Sequence, residues 1–442
     1  MPVRSHAINL LVENESPSFT FDPLGRLHGA FVAGRNYRRS LDNRMLCKWS
    51  EPAAGRRQRQ RRWLAESEAR SVIDTAYGLA RQMIATAGDA PVVVREALKR
   101  LAQWDAAALA QDRLRFEAIY TPIGILPPDQ YLSLVLQATH GCSHNACTFC
   151  TFYRGIDFSI RSPEAFRSHV AAVVDFFGPA LAMRRSIFLA DANALVIPMP
   201  RLVALLDVLA EVRGSEGQRS EIRESEVGVS EVECMEVVSG TYCDSSSTDM
   251  SAPDALTSDP LTSAPLTSDS LPLRSLPLFA FIDAFHVERK SVSDWSELSA
   301  RGLRRVYIGM ESGHNPLLVW LNKPGDATDV LDAVRTLKTT GLNVSVIVML
   351  GVGGDRYAAG HVADTVALLN AMPLAAGDLI YFSDFVDTPD APYAGLAAEA
   401  GVRPLDFAGL RQQEADIRAG FRPWDADHPP QMSRYDIEEF VY

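Results

Sequence analysis

YLSLVLQATHGCSHNACTFC, residues Tyr131 to Cys150, runs from an apolar segment straight into three cysteines. Tyr131–Ala138 reads as a strand. So continuous an apolar run suits a parallel sheet, with helices on one face and packed side chains on the other. Cys142, Cys147 and Cys150 follow at the spacing Cys-x4-Cys-x2-Cys, in the loop that leaves the strand's carboxyl end.

The same alternation continues down the chain. Ser162-Pro163-Glu164 is a helix start with proline at the first helical position. Phe166, Val170, Val173, Val174 and Phe177 then follow at helical spacing. Ser186–Ala190, Leu278–Phe285, Arg305–Gly309, Asn343–Leu350 and Asp378–Phe382 read as further strands. Helices are expected at Met199–Val212, Val292–Ala300, from Asp326 onward and at His361–Asn370. Six β–α units with right-handed crossovers make a parallel sheet, open or curled into a partial barrel. In either case the site lies at the carboxyl ends of the strands, where the cysteine loop is.

Two regions break the pattern. Residues 1–125 precede the repeat: Gly25–Leu41 is turn-rich like a small β element, 63–113 is largely helical with apolar and charged residues in amphipathic order, and the region as a whole is expected to be mainly helical. The basic run Arg56–Arg62 is read as a solvated helix start, with an RNA or phosphate contact as the alternative. From 214 to 275 the chain is rich in Ser, Thr, Asp, Glu and Pro, with leucines at 256, 261, 266 and 271, a period matching neither helix nor strand. Such a segment buries too little apolar surface to offset its ordering entropy, and is expected to be a disordered insertion. The expected division is therefore 1–125, core 126–213, insertion 214–275, core 276–385, and a C-terminal extension 386–442.

The chain's 442 residues, 47% hydrophobic and 22% charged, are ordinary for a globular protein. Met1–Ala30 has no basic segment followed by an apolar run of the signal-peptide kind. No stretch reaches the roughly 18 apolar residues of a membrane helix. A cytoplasmic protein without a membrane partner is expected. The net charge of −12 is uneven: 214–275 holds twelve Asp/Glu against three Arg, leaving −3 for the rest. That near-neutral remainder gives nucleic-acid binding little support while leaving it open.

Six cysteines in a reducing compartment point to metal or chemistry, not to a disulfide framework. A structural zinc site needs four ligands, with His140 or His144 as the fourth here. A thioredoxin-like pair at Cys147 and Cys150 leaves Cys142 without a task. An ordinary ferredoxin-type cluster needs a fourth thiolate. Three thiolates suit a four-iron cluster whose fourth iron takes a non-protein ligand. Zinc stays open on the residues alone.

The triad, with Phe149 just before its last cysteine, resembles the radical S-adenosylmethionine superfamily, whose usual spacing is one residue shorter in the first gap. GCSHNACTFC, Gly309–Gly325 (GMESGHNPLLVWLNKPG) and Ser345–Asp355 (SVIVMLGVGGD) are similar to the branch of elongator-type and methylthiotransferase enzymes. The resemblance covers about residues 130–385 apart from the insertion, and implies a partial (β/α)6 barrel. It implies that Cys142, Cys147 and Cys150 ligate a 4Fe-4S cluster whose free iron binds S-adenosylmethionine. One electron, from a donor such as flavodoxin or ferredoxin, then releases a 5′-deoxyadenosyl radical that abstracts hydrogen from a substrate. By position, Phe149 meets the adenine, and Asp191 and Asn193 the methionyl amine. Glu311 and Ser312 address the ribose or methionyl end, and Gly351, Gly353 and Gly354 the adenosine. Asp283 and His286 are substrate-side candidates. The alternatives are a non-catalytic zinc or iron–sulfur module, and a tRNA-modifying enzyme of the same superfamily.

Overall fold

The computed structural model describes residues 7–12, 17–53, 56–88, 90–224, 235–239, 272–388 and 390–442. The chain divides into two compact units. One holds residues 1–114, 178–183 and 213–274; the other holds 115–177, 184–212 and 275–442.

In the first unit, strands β1 (Ile8–Val12), β2 (Ser18–Phe21), β3 (Leu27–Val32), β4 (Arg35–Arg39), β5 (Met45–Ala53) and β6 (Arg56–Trp63) pair antiparallel in chain order. The β3–β4 hairpin turns through Ala33 (φ 49°) and Gly34 (φ 73°), both left-handed, which matches the strand twist. Helices α1 (Glu66–Thr86), α2 (Val92–Ala102) and α3 (Ala106–Ile119) follow. On α1, Ala69, Ile73, Ala76, Tyr77 and Ala80 form one buried stripe, clustered with Phe19, Phe21, Leu27 and Met45 of the sheet. Helix runs from Glu66, as the 63–113 pattern predicts, while the small β element expected at Gly25–Leu41 is larger, extending from Ile8 to Trp63. The Arg56–Arg62 run is a strand. Composition misled there, because pairing with β5, residue for residue from Ala53↔Arg56 to Leu46↔Trp63, is a long-range property.

The second unit is built on the parallel sheet. Its strands are β7 (Ser133–Gln137), β10 (Ser186–Ala190), β12 (Leu278–Phe281), β13 (Leu303–Glu311), β14 (Asn343–Leu350), β15 (Leu379–Asp384) and β16 (Gln431–Tyr435), side by side in chain order. A two-stranded ribbon, β8 (Thr139–His140) with β9 (Ser159–Ile160), stands apart. β11 (Met235–Ser239) pairs with β1 in the first unit. All six expected strands are present, though β12 stops at Phe281, where Asp283 starts a 3-10 turn.

β16 is the addition, and it moves the boundary expected at 385: the sheet continues to 435. The C-terminal tail also finds its place. Tyr442 Oη accepts from the Val135 N–H on the free edge of β7 (2.9 Å). Tyr435 Oη donates to Leu126 O (2.7 Å), and the Phe440 and Tyr131 rings meet at 5.7 Å. The segment after the last strand therefore reaches the first strand and bridges the two sheet edges.

Outer-face residues such as Leu134, Ile187, Val306, Val346 and Ile380 are fully buried, as covering helices require. These include α4 (Pro163–Phe177), α5 (Met199–Glu224), α6 (Val292–Ala300), α8 (Ala327–Thr339), α9 (Gly354–Ala371) and α11 (Phe407–Gly420); α7 (Asn315–Trp320) and α10 (Tyr393–Glu399) are short rim helices. Most of the insertion expected at 214–275, Cys234 and Cys243 included, lies outside the described residues. Among those described, no helix is long and apolar enough to cross a membrane.

Candidate functional site

The cysteine loop is held at its root by the β8–β9 ribbon. There Gly141 adopts φ 73°, and an added Cβ would lie 3.1 Å from Ile156 O. Asn145, also left-handed (φ 48°), fastens the loop across itself: its Nδ2 donates to Tyr153 O (2.7 Å) and Ile156 O (3.3 Å). Its backbone N–H donates to Cys142 Sγ (3.4 Å). Arg154 ties down the far side, donating to Cys147 O (3.0 Å) and Cys150 O (3.1 Å).

A second clamp comes from the segment after β13. The Thr148 N–H and hydroxyl both donate to Leu321 O, and Asn322 Nδ2 donates to Ala146 O (2.8 Å). His144 Nε2 lies 2.9 Å from Asn322 O, so that nitrogen is engaged on the clamp. Phe149 packs into an apolar cluster with Leu317, Leu321, Val352 and Tyr393.

The three thiols are free and half-buried. Burial raises the pKa of each, that of Cys147 to about 12, while the Lys323 ammonium pulls all three the other way. Among the described residues, no three His, Cys, Asp or Glu side chains already close around a single metal ion. The donor set is three thiols on one loop beside a cation. It fits a metal–sulfur cluster, whose positive charge reverses the burial effect on each thiol.

Glu311 and Lys323 face this loop. A register shift in the β13–β14 pairing precedes Glu311, whose φ is 59°. Lys323 Nζ lies 3.2 Å from Glu311 Oε1, with both side chains buried, and the pair raises the lysine's pKa despite its burial. Gly309 makes this possible: a Cβ there would stand 2.5 Å from Glu311 Oε1 and 3.2 Å from Lys323 Nζ. Sequence reasoning passed over Lys323. Its signal is that the chain has only five lysines, and this one occupies a strand-end loop.

The other expected residues divide. Asn193, Asp283 and His286 come together: Asn193 Nδ2 donates to Asp283 Oδ2 (2.5 Å) and to Ser143 Oγ (2.9 Å), and Asn193 Oδ1 accepts from the Asp283 N–H (3.0 Å). His286 Nδ1 lies 3.8 Å from Asp283 Oδ2, and burial lowers its pKa. This network reaches the cysteine loop through Ser143.

Asp191 turns to the loop's base instead. It accepts from Gln137 Nε2 (3.2 Å) and the Gly141 N–H, and desolvation raises its pKa to about 6. Ser312 is buried and committed to His361 Nδ1 (2.7 Å) and the His314 N–H (3.0 Å).

The glycine turn has a packing reason. A Cβ on Gly354 would lie 2.2 Å from Arg403 O, and one on Gly351 2.4 Å from Leu410 Cδ2. The Gly351 N–H donates to Gln413 Oε1 (2.7 Å), and the Gly353 N–H to Tyr393 Oη (2.8 Å). These glycines admit close protein neighbours.

No protein-family model and no curated protein matches the sequence. Solved structures match it in part. The radical S-adenosylmethionine methyltransferase TsrM from Kitasatospora setae, with cobalamin and a 4Fe-4S cluster bound, is 16% identical over 68% of this chain and 54% of its own, at a TM-score of 0.39. Coproporphyrinogen III oxidase from Escherichia coli, a radical SAM enzyme, is 12% identical over 72% and 55%, at 0.38. Methylornithine synthase is 11% identical over 80% and 85%, at 0.36. The chain spans 31% of the cobalamin-dependent S-adenosylmethionine radical enzyme OxsB, at 14% identity and a TM-score of 0.34.

Proposed function

We propose that this chain is a radical S-adenosylmethionine enzyme, with Cys142, Cys147 and Cys150 holding a 4Fe-4S cluster. The observation that carries the reading is the cysteine loop itself. Its backbone is pinned by Asn145, Arg154, Thr148 and Asn322, which leaves three thiols presented together at the carboxyl edge of a parallel sheet. The hydrogen bond from the Asn145 N–H to Cys142 Sγ is of the kind a metal-bound thiolate keeps.

When bound, the cluster and S-adenosylmethionine supply a 5′-deoxyadenosyl radical through one-electron cleavage. This chain's residues prepare the site. Lys323 lowers the cost of three neighbouring thiolates, and Glu311 fixes the lysine in place. Phe149 and its cluster exclude water from one side of the loop. Asn193 and Asp283 hold Ser143 and form the face on which we place the substrate, with His286 beside them. The motifs Gly309–Gly325 and Ser345–Asp355 favour the elongator-type and methylthiotransferase branch. The electron donor is proposed to be of the flavodoxin or ferredoxin kind, in a reducing compartment such as the cytoplasm.

The test is anaerobic reconstitution with iron and sulfide, then dithionite and S-adenosylmethionine. Wild-type protein is expected to take up four irons per chain and release 5′-deoxyadenosine, and Cys147→Ala to do neither. Well-loaded wild type that yields no 5′-deoxyadenosine defeats the reading. Purification with one zinc and no iron assigns the loop to a structural module instead.

A further inference from the structure

Lys323, Glu311 and Asp283 reach the cysteine loop from three different elements of the second unit. Lys323 directly follows Leu321 and Asn322, the residues that grip the loop at Thr148, Ala146 and His144. Its own N–H donates to Leu318 O (3.0 Å), so the backbone that presents the ammonium is itself fixed. Glu311, at the end of β13, meets that ammonium at 3.2 Å, and both side chains are buried. Asp283, beyond β12, is held by Asn193, which also donates to Ser143 beside Cys142.

The charges do not act evenly on the thiols. At Cys147 the Lys323 ammonium is the strongest of them. At Cys150 the Glu311 carboxylate outweighs it, and at Cys142 Asp283 does. The loop therefore feels one cation and two anions at close quarters. Arg154 also touches the loop, but it is exposed and water screens its charge. A buried ion pair such as Lys323 with Glu311 gains little net stability over apolar side chains of similar volume. The field it casts on the loop gives it a purpose that stability does not.

We infer, on the strength of the proposed function, that Lys323 and Glu311 are a matched pair that sets the reduction potential of the cluster on Cys142, Cys147 and Cys150. The lysine raises the potential and the glutamate lowers it. Reduction moves one electron from the donor to the cluster and needs no proton, so the whole change is one negative charge placed beside the pair. An ammonium stabilises that charge and a carboxylate opposes it, both more strongly where burial excludes water. Gly309 gives the pair its room, since a Cβ there would meet Glu311 Oε1 at 2.5 Å and Lys323 Nζ at 3.2 Å.

The test is a redox titration of the reconstituted full chain at neutral pH without S-adenosylmethionine, followed by electron paramagnetic resonance and read against iron per chain. Lys323→Met is expected to disfavour the reduced cluster at least tenfold, a fall in midpoint of about 59 mV for one electron. Glu311→Gln should favour it by a similar factor and move the midpoint up. Lys323→Met/Glu311→Gln strands neither charge, and its midpoint should lie between those of the single variants. Single variants that shift the midpoint in the same direction overturn the inference. So does a midpoint that neither variant moves while the cluster stays loaded, which leaves the pair a structural one. If one single variant fails to load iron, the sign of the other's shift decides. Wild type that takes up no iron defeats the proposed function and this inference with it, an outcome that iron analysis separates from an unmoved midpoint.

Discussion

The two ends of the parallel sheet carry polar clusters of opposite kinds. At the amino end, Asp129 accepts from Arg305 Nη1 (2.8 Å), Tyr307 Oη (2.5 Å) and Tyr381 Oη (2.8 Å). The carboxylate is saturated, and burial raises the pKa of both phenols so that they stay donors. At the carboxyl end, three thiols are held at raised pKa beside Lys323, and Asp191 is pushed up to about 6. The first arrangement closes the floor of the barrel. The second leaves three thiols and a carboxyl group with pKa values raised by burial, an arrangement common at functional sites.

The sharpest way to break the contrast is to exchange one residue at each end. Cys147→Ala is expected to abolish iron uptake, read as iron per chain, with an unchanged urea midpoint. Asp129→Ala should do the reverse. It removes the acceptor shared by Arg305, Tyr307 and Tyr381, costing about 2 kcal/mol in urea unfolding, while the folded protein still takes up iron.

The glycine turn sharpens the comparison at smaller scale, since it lies at the carboxyl end yet is packed like the floor. Gly354→Ala must accommodate a Cβ 2.2 Å from Arg403 O at φ 53°. It is expected to cost about 2 kcal/mol or more in unfolding free energy, with S-adenosylmethionine affinity changed less than twofold in the folded protein.

The smallest effect is that of Asp191. Its folded pKa of about 6 lies above the unfolded 3.8, so the native state binds the extra proton. Stability is therefore highest below about pH 4 for this group and falls as pH rises towards 6, by on the order of 2 kcal/mol. Asp191→Asn removes that slope, as urea midpoints at pH 4.5 and 7 would show.

Much of the core was legible because its signals are local. Continuous apolar runs marked the strands, and Asp326 does cap α8, accepting from the Thr328 and Asp329 N–H groups. The cysteine triad stood out for the same reason, its three thiols lying on one short loop. What escaped depended on distant partners. Arg56–Trp63 has no helical or strand signature until β5 lies beside it, and Gln431–Tyr435 is short and half-exposed until β15 pairs with it. Glu311 was marked by its motif, but that it pairs with Lys323 twelve residues on follows from Gly309 and a register shift. The protein neighbours of the glycine turn also escaped, because sequence shows the missing side chain and not what packs against it.

On the proposed function, three cysteines leave one iron of a four-iron cluster for S-adenosylmethionine. Electron paramagnetic resonance of the dithionite-reduced, reconstituted protein tests this directly, with and without the cofactor. A cluster signal whose g-values shift on adding S-adenosylmethionine is the predicted result. A reduced cluster whose signal is indifferent to the cofactor would contradict it.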